Sequence, residues 1–180
     1  MISSTSKLVL AVVGLTILAL AIAIVVLPTV GAKTNFATYQ NKDFHFKIQY
    51  PAKWTKEETS LHSHQIVRFY NTYKSLAGFS VVTYQTPANY TLANYAKAPY
   101  NASVQILTPG KMITTDSGIN AYQIMYYDNG SGYNVKDMDT VVINTKYDML
   151  HILTYRTEPP GFDANLGKAK QMVDSFQFTN

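Results

Sequence analysis

The residues with most capacity for chemistry are His62-Ser63-His64, because imidazoles two apart on an extended segment point to one side and could share a metal ion. His45 could join them. Two histidines nevertheless fall short of the three or four ligands of zinc sites, and a polar loop between Trp54 and Gln65 would expose both without purpose. His62 and His64 are thus the candidate metal ligands, with metal binding an alternative rather than the main reading. His151 lies in an apolar stretch, where a hydrogen-bonded core histidine is expected. Asp128, Asp137 and Asp139 are poorly spaced for a carboxylate pair, and Asp128-Asn129-Gly130-Ser131-Gly132 carries Asp139 where a calcium loop needs its twelfth-position Glu. A solvated turn is the expected state of that loop. No Gly-x-Ser-x-Gly elbow presents a serine and no glycine-rich loop leads into a helix. No catalytic residue and no cofactor are expected.

The chain of 180 residues carries 15 Lys and Arg against 11 Asp and Glu, a net charge of +4 that reflects few acids rather than a basic cluster. A nucleic-acid partner is not expected. Cysteine is absent, which excludes disulfides and thiolate chemistry. The 14 Tyr, 8 Phe and single Trp all follow position 35 and supply a core. Tyrosine also suits interfaces with protein or glycan, since its ring gives contact area while its hydroxyl tolerates water.

No charged residue interrupts Leu8 to Val30, a stretch that would reach about 34 Å as a helix against roughly 30 Å of bilayer hydrocarbon. It has no polar face, and it exceeds the length of ordinary signal-peptide cores, so a transmembrane signal anchor over residues 1–32 is expected. Cleavage after Ala32, giving a secreted protein, is the alternative. Three sequons, at Asn89, Asn101 and Asn129, agree with export and mark candidate glycosylation sites. The expected topology is single-pass in the cell membrane with the domain on the extracytoplasmic side.

Residues 33–42 read as a linker and 43–180 as the domain. Phe44, Phe46, Ile48 and Tyr50 alternate with polar residues up to Pro51, which predicts a half-buried strand, with Trp54 plugging the core beyond its end. Gln65–Tyr70 and Gly78–Tyr84 predict an antiparallel pair. Thr91 can cap a short helix bearing Leu92, Tyr95 and Ala96. Pro109-Gly110 and Asp116-Ser117-Gly118 predict turns around a short strand at Lys111–Thr115. Ile119–Tyr127, Val135–Asn144 and Met149–Tyr155 are further strands, the last apolar on both faces. Phe162, Leu166, Ala169, Met172, Val173 and Phe176 recur at helical spacing, giving a helix that covers the sheet. The fold class is α+β.

Tyr39, then Asp43-Phe44, then Ile48-Gln49-Tyr50-Pro51-Ala52-Lys53-Trp54 resemble the opening of PsbP-like domains, and Met172-Val173-Asp174-Ser175-Phe176 resembles their C-terminal segment. The resemblance covers residues 36–178. It implies an α/β/α sandwich around a mainly antiparallel sheet, and a role as a binding, assembly or accessory factor beside a membrane or envelope protein. The membrane-length segment directly before the domain departs from the plant pattern and is similar to anchored prokaryotic relatives, archaeal surface proteins included. A metal- or small-ligand-binding protein with a cleft near His62 and His64 is the alternative expectation.

Overall fold

The computed structural model describes residues 35–59, 65–71, 77–98, 103–130 and 134–180. The expected membrane anchor lies outside the described residues, and none of the helices within them is long and apolar enough to cross a bilayer. Thr34–Asn180 is a compact unit. Both hydrophobic clusters and both sheets lie inside it, as an independently folding domain requires.

The alternation that predicts the first strand is realised in β2 (Phe46–Pro51), whose Phe46 and Ile48 are buried. It pairs with β1 (Phe36–Asn41), so the folded unit reaches into the stretch that composition marks as a linker. Tyr39 explains the strand. Its ring lies 5.8 Å from that of Phe69 and 5.9 Å from that of Phe46, which fixes β1 to the core. A two-residue strand, β10 (Gln177–Phe178), completes this small sheet on the other side of β2.

The larger sheet contains β3 (Thr55–Glu58), β4 (Gln65–Tyr70), β5 (Gly78–Gln85), β6 (Val104–Thr114), β7 (Asn120–Asp128), β8 (Val135–Asn144) and β9 (Met149–Thr157). Its order is β3-β4-β5-β9-β8-β7-β6, antiparallel throughout. One face is covered by α2 (Pro159–Ser175) together with the small sheet. Pro159 sits in the first turn of α2, where its missing N–H is not needed, and Phe162, Ala169, Met172 and Val173 are the helix's buried stripe. The Tyr155 hydroxyl donates to the Phe162 carbonyl at 2.9 Å and ties helix to sheet. Trp54 is buried in this cluster, as its sequence position predicts.

The opposite face has far less cover. Tyr122, Ile124, Tyr126, Val141 and Leu150 are buried there, with Leu92 and Tyr95 of α1 (Leu92–Ala96) packed against them. Thr91 caps α1 as expected, its hydroxyl accepting from the Asn94 N–H while Asn94 returns a bond to the Thr91 N–H. None of the residues of α1 is fully buried. Helices on both faces of an antiparallel sheet make the layered α+β architecture.

Pro109-Gly110 does not make the predicted turn. Both residues lie inside β6, an edge strand whose register shifts twice against β7, between Ile106 and Thr108 and again before Lys111. An edge position tolerates a residue without an N–H, and the irregular register absorbs it. Gly110 has its own reason: a Cβ there would fall within the ring and hydroxyl of the buried Tyr122. Gly110→Ala is expected to destabilise the domain by about 1–3 kcal/mol, since Tyr122 must leave its packed position. Chemical denaturation of the two proteins checks this.

Candidate functional site

Two features stand out on the thinly covered face: a buried ionic network at one end and an open cleft at the other. In the network, β8 alternation puts Asp137 and Asp139 on the same side as Val141 and Ile143. Register then brings Arg156 of β9 opposite Asp137 and Thr154 opposite Asp139. Arg156 donates Nε to Asp137 Oδ1 at 2.8 Å and Nη2 to Asp137 Oδ2 at 2.7 Å, a bidentate pair, and Nη2 also reaches Asp128 Oδ2 at 3.2 Å. Asp139 accepts from the hydroxyls of Thr154 at 2.7 Å and Tyr126 at 2.8 Å.

These contacts correct the reading of Asp128 as part of a solvated turn. Its carboxylate is partly buried, holds Arg156, and accepts from the Gly130 N–H at 2.9 Å. Burial is also the chief influence on the acids. It raises Asp137, which the Arg156 hydrogen bonds pull back, and it lifts Asp139 to about 6 against the lowering by Thr154 and Tyr126. Every carboxylate oxygen of Asp137 and Asp139 is already engaged within the protein. The network therefore organises the sheet and offers no unengaged oxygen of these two acids to a substrate or a metal.

The cleft has a volume of about 580 Å³, bounded by Tyr90 and Leu92 beside α1, Met112 on β6, Ile119 before β7, Ile143 on β8 and Phe178 on β10. None of the residues lining it carries a charge. Volumes of about 300–1,000 Å³ with mostly apolar walls and a few polar groups are typical of small-molecule sites. Thr91, Asn120 and Thr145 supply the polar positions.

Of the residues singled out by sequence, His62, His64 and Asn101 lie outside the described residues. Asn89 and Asn129 are exposed at turns, and Asn89 has a left-handed backbone with φ of 64°. His151 is the expected core histidine, 0% exposed, with Nδ1 2.9 Å from the Thr83 hydroxyl. Burial, and secondarily the charge of His45, depresses it to about 4. His45 has φ of 54° and stacks on Tyr147 with ring centroids 3.5 Å apart. Among the described residues no three histidines and acids gather in a way that could hold a metal. The cleft could not be found from sequence, since its walls come from five separate parts of the chain.

An antiparallel seven-stranded sheet, a long C-terminal helix with a three-stranded sheet on one side, and a short helix on the other define a PsbP-like fold. The solution structure of cyanobacterial PsbP (CyanoP) from Synechocystis sp. PCC 6803 is similar with a TM-score of 0.60 and 17% identity, over 81% of this chain and 93% of that one. LpqN of Mycobacterium tuberculosis, described as involved in cell envelope biogenesis, is similar with a TM-score of 0.57 and 13% identity, over 81% and 91% of the two chains. A protein of Bacteroides thetaiotaomicron VPI-5482 aligns with a TM-score of 0.54 and 12% identity, over 79% of this chain and 48% of its own. At such identities it is the fold that is shared. No family model matches the sequence, and no curated protein matches it.

Proposed function

We propose that this chain is a membrane-anchored, extracytoplasmic and non-catalytic domain that binds a protein of the same membrane or envelope as an accessory or assembly factor. The observation that carries this reading is the contrast between the two edges of the large sheet. β3 presents Thr55, Lys56, Glu57 and Glu58, all exposed, and charge on an edge discourages further strand pairing. β6 instead exposes Ile106, Leu107 and Met112, the last by 58%, and Tyr84 is exposed on the large sheet as well. Apolar side chains of this size, gathered on one edge strand, suit burial against a partner. An anchor at Leu8–Val30 would confine the domain to the layer where such a partner resides, so a weak interface would suffice. The involvement of LpqN in cell envelope biogenesis supports the assignment to the envelope.

Photocrosslinking amino acids at Ile106 and at Met112, compared with one at Lys56, test the reading in intact cells. Adducts to an envelope or membrane protein are expected from the first two positions and not from the third. Equal yields from all three, or protection of the domain from protease until cells are lysed, would end it.

A further inference from the structure

The large sheet ends in β3 and β6, and no described strand pairs with β6 on its outer side. The direction of its main-chain groups follows from two hydrogen bonds. The Asn129 N–H donates to the Ser103 carbonyl at 3.2 Å and the Thr115 N–H donates to the Ile119 carbonyl at 3.0 Å, so the residues flanking β6 bond toward β7. In an antiparallel ladder that direction alternates residue by residue. Counting inward through the two unbroken stretches of register, Gln105, Lys111 and Ile113 also turn to β7, while Val104, Ile106, Met112 and Thr114 turn N–H and C=O to the open edge. Ile106 and Met112, opposite Tyr126 and Tyr122, share one face of the sheet and are 41% and 58% exposed.

An open edge pairs with another strand unless charge or shape prevents it. β6 has one charge in eleven residues, Lys111, and its protection is Pro109 with the shifts of register around it. That protection is confined to the middle of the strand. An antiparallel second copy of β6, with the twofold axis at Pro109, sets Ile106 opposite Met112 and Val104 opposite Thr114, so that outward N–H and C=O groups meet one another. Opposed residues point to the same face, so the exposed Ile106 and Met112 side chains cover each other. Alternation asks no hydrogen bond of Pro109 on the axis, where it has no N–H to give. Lys111 falls opposite Leu107, along which its stem can lie, and away from the Lys111 of the other copy.

We propose that β6 pairs antiparallel with β6 of a second copy of this chain, about a twofold axis at Pro109, joining two large sheets into one. This rests on the reading of β6 as the contact edge and names its occupant. Sedimentation equilibrium of the domain 34–180 should show reversible dimerisation. Ile106→Lys and Met112→Lys should each weaken it by about tenfold or more, since each buries an unpaired charge at the junction, whereas Lys56→Ala on β3 leaves it unchanged. Both side chains are exposed in the single copy, so the urea unfolding of these variants should match the parent's. Disulfides read the register, because the chain has no cysteine of its own. Hydrogen-bonded partners across a ladder lie about 5.5 Å apart at Cα, within disulfide range. Ile106→Cys combined with Met112→Cys should therefore give an oxidised dimer, the two sites being too far apart along one strand to bridge within a chain. Neither single variant should.

A domain that stays monomeric at about 1 mM overturns the proposal, as does unchanged dimerisation in both lysine variants. Disulfide dimers from Ile106→Cys alone would overturn the axis at Pro109. A monomeric domain whose Ile106 and Met112 crosslink to a different protein in cells would end this proposal and leave the contact-edge reading standing. A dimer dissociated by the lysine variants, with equal crosslinking from Ile106, Met112 and Lys56 in cells, would do the reverse.

Discussion

Arg156→Met is expected to destabilise the domain by about 3 kcal/mol, more than any exposed substitution, because it strands a carboxylate rather than merely removing a charge. Asp137 is 0% exposed and receives both of its hydrogen bonds from the Arg156 guanidinium. Without that partner the carboxyl must either take a proton or unfold. Because the Arg156 side chain is itself 37% exposed, water can enter when it is shortened, which places the cost at the lower end for a broken buried pair. The double variant Asp137→Asn with Arg156→Met removes the stranded charge and should recover at least half of the loss. Urea titrations of the two single variants and the double variant measure this directly. If the double variant were as unstable as the sum of the singles, the bidentate pair would not be coupling β8 to β9.

The second large effect is in pH dependence, where two buried groups oppose one another. Asp139, at about 6 in the folded state against an ordinary value near 3.8, holds its proton more tightly folded than unfolded. Its contribution is fully present below pH 4 and is lost as pH rises to 6, about 3 kcal/mol in all. His151, at about 4 folded against 6.5, behaves in reverse, because the unfolded chain takes the proton first. Its contribution is present above pH 6.5 and lost as pH falls to 4, again about 3 kcal/mol. Between pH 4 and 6 these slopes cancel, so their joint contribution is nearly level. Asp139→Asn should unmask the histidine and gain stability as pH rises, at about 1 kcal/mol per pH unit. His151→Asn should unmask the acid and lose stability as pH rises, with a similar slope. Thermal unfolding across pH 4 to 7, taken as variant minus parent, cancels the smaller influences of Asp137, Asp174 and Glu58. Parallel curves for parent and both variants would refute the opposition.

What could be read from sequence was whatever short-range periodicity or capping determines. Thr91 as a cap, the stripe from Phe162 to Val173, buried Trp54 and hydrogen-bonded His151 all follow from neighbours within a few residues. The resemblance to PsbP-like domains is borne out at the level of fold. β6 was misread because Pro109-Gly110 is a turn pair only where the backbone is free to reverse; at a sheet edge, with Tyr122 lying over Gly110, the same pair continues the strand. The convergence of Asp128, Asp137 and Arg156 was hidden by sequence distance. One local sign of it existed: two acids at alternate positions of a strand that also carries Val135, Met138, Val141, Val142 and Ile143 must share a face, and a buried face demands a cation on the next strand. The cleft had no local sign, since side chains far apart in the chain make it.

The order of strands also bears on how the chain finds its structure. β3-β4-β5 and β6-β7-β8-β9 are each runs of consecutive neighbours, joined by short-range closures, and the two runs meet only where β5 pairs with β9. That seam closes a loop from Gln85 to Met149, the longest closure within the large sheet. The two meanders rest on short closures, so most of the entropy lost in arranging the large sheet is lost at the β5–β9 seam. In the small sheet β1 and β2 form a local hairpin, whereas β10 joins β2 by a closure longer than the seam's, from Phe46 to Phe178.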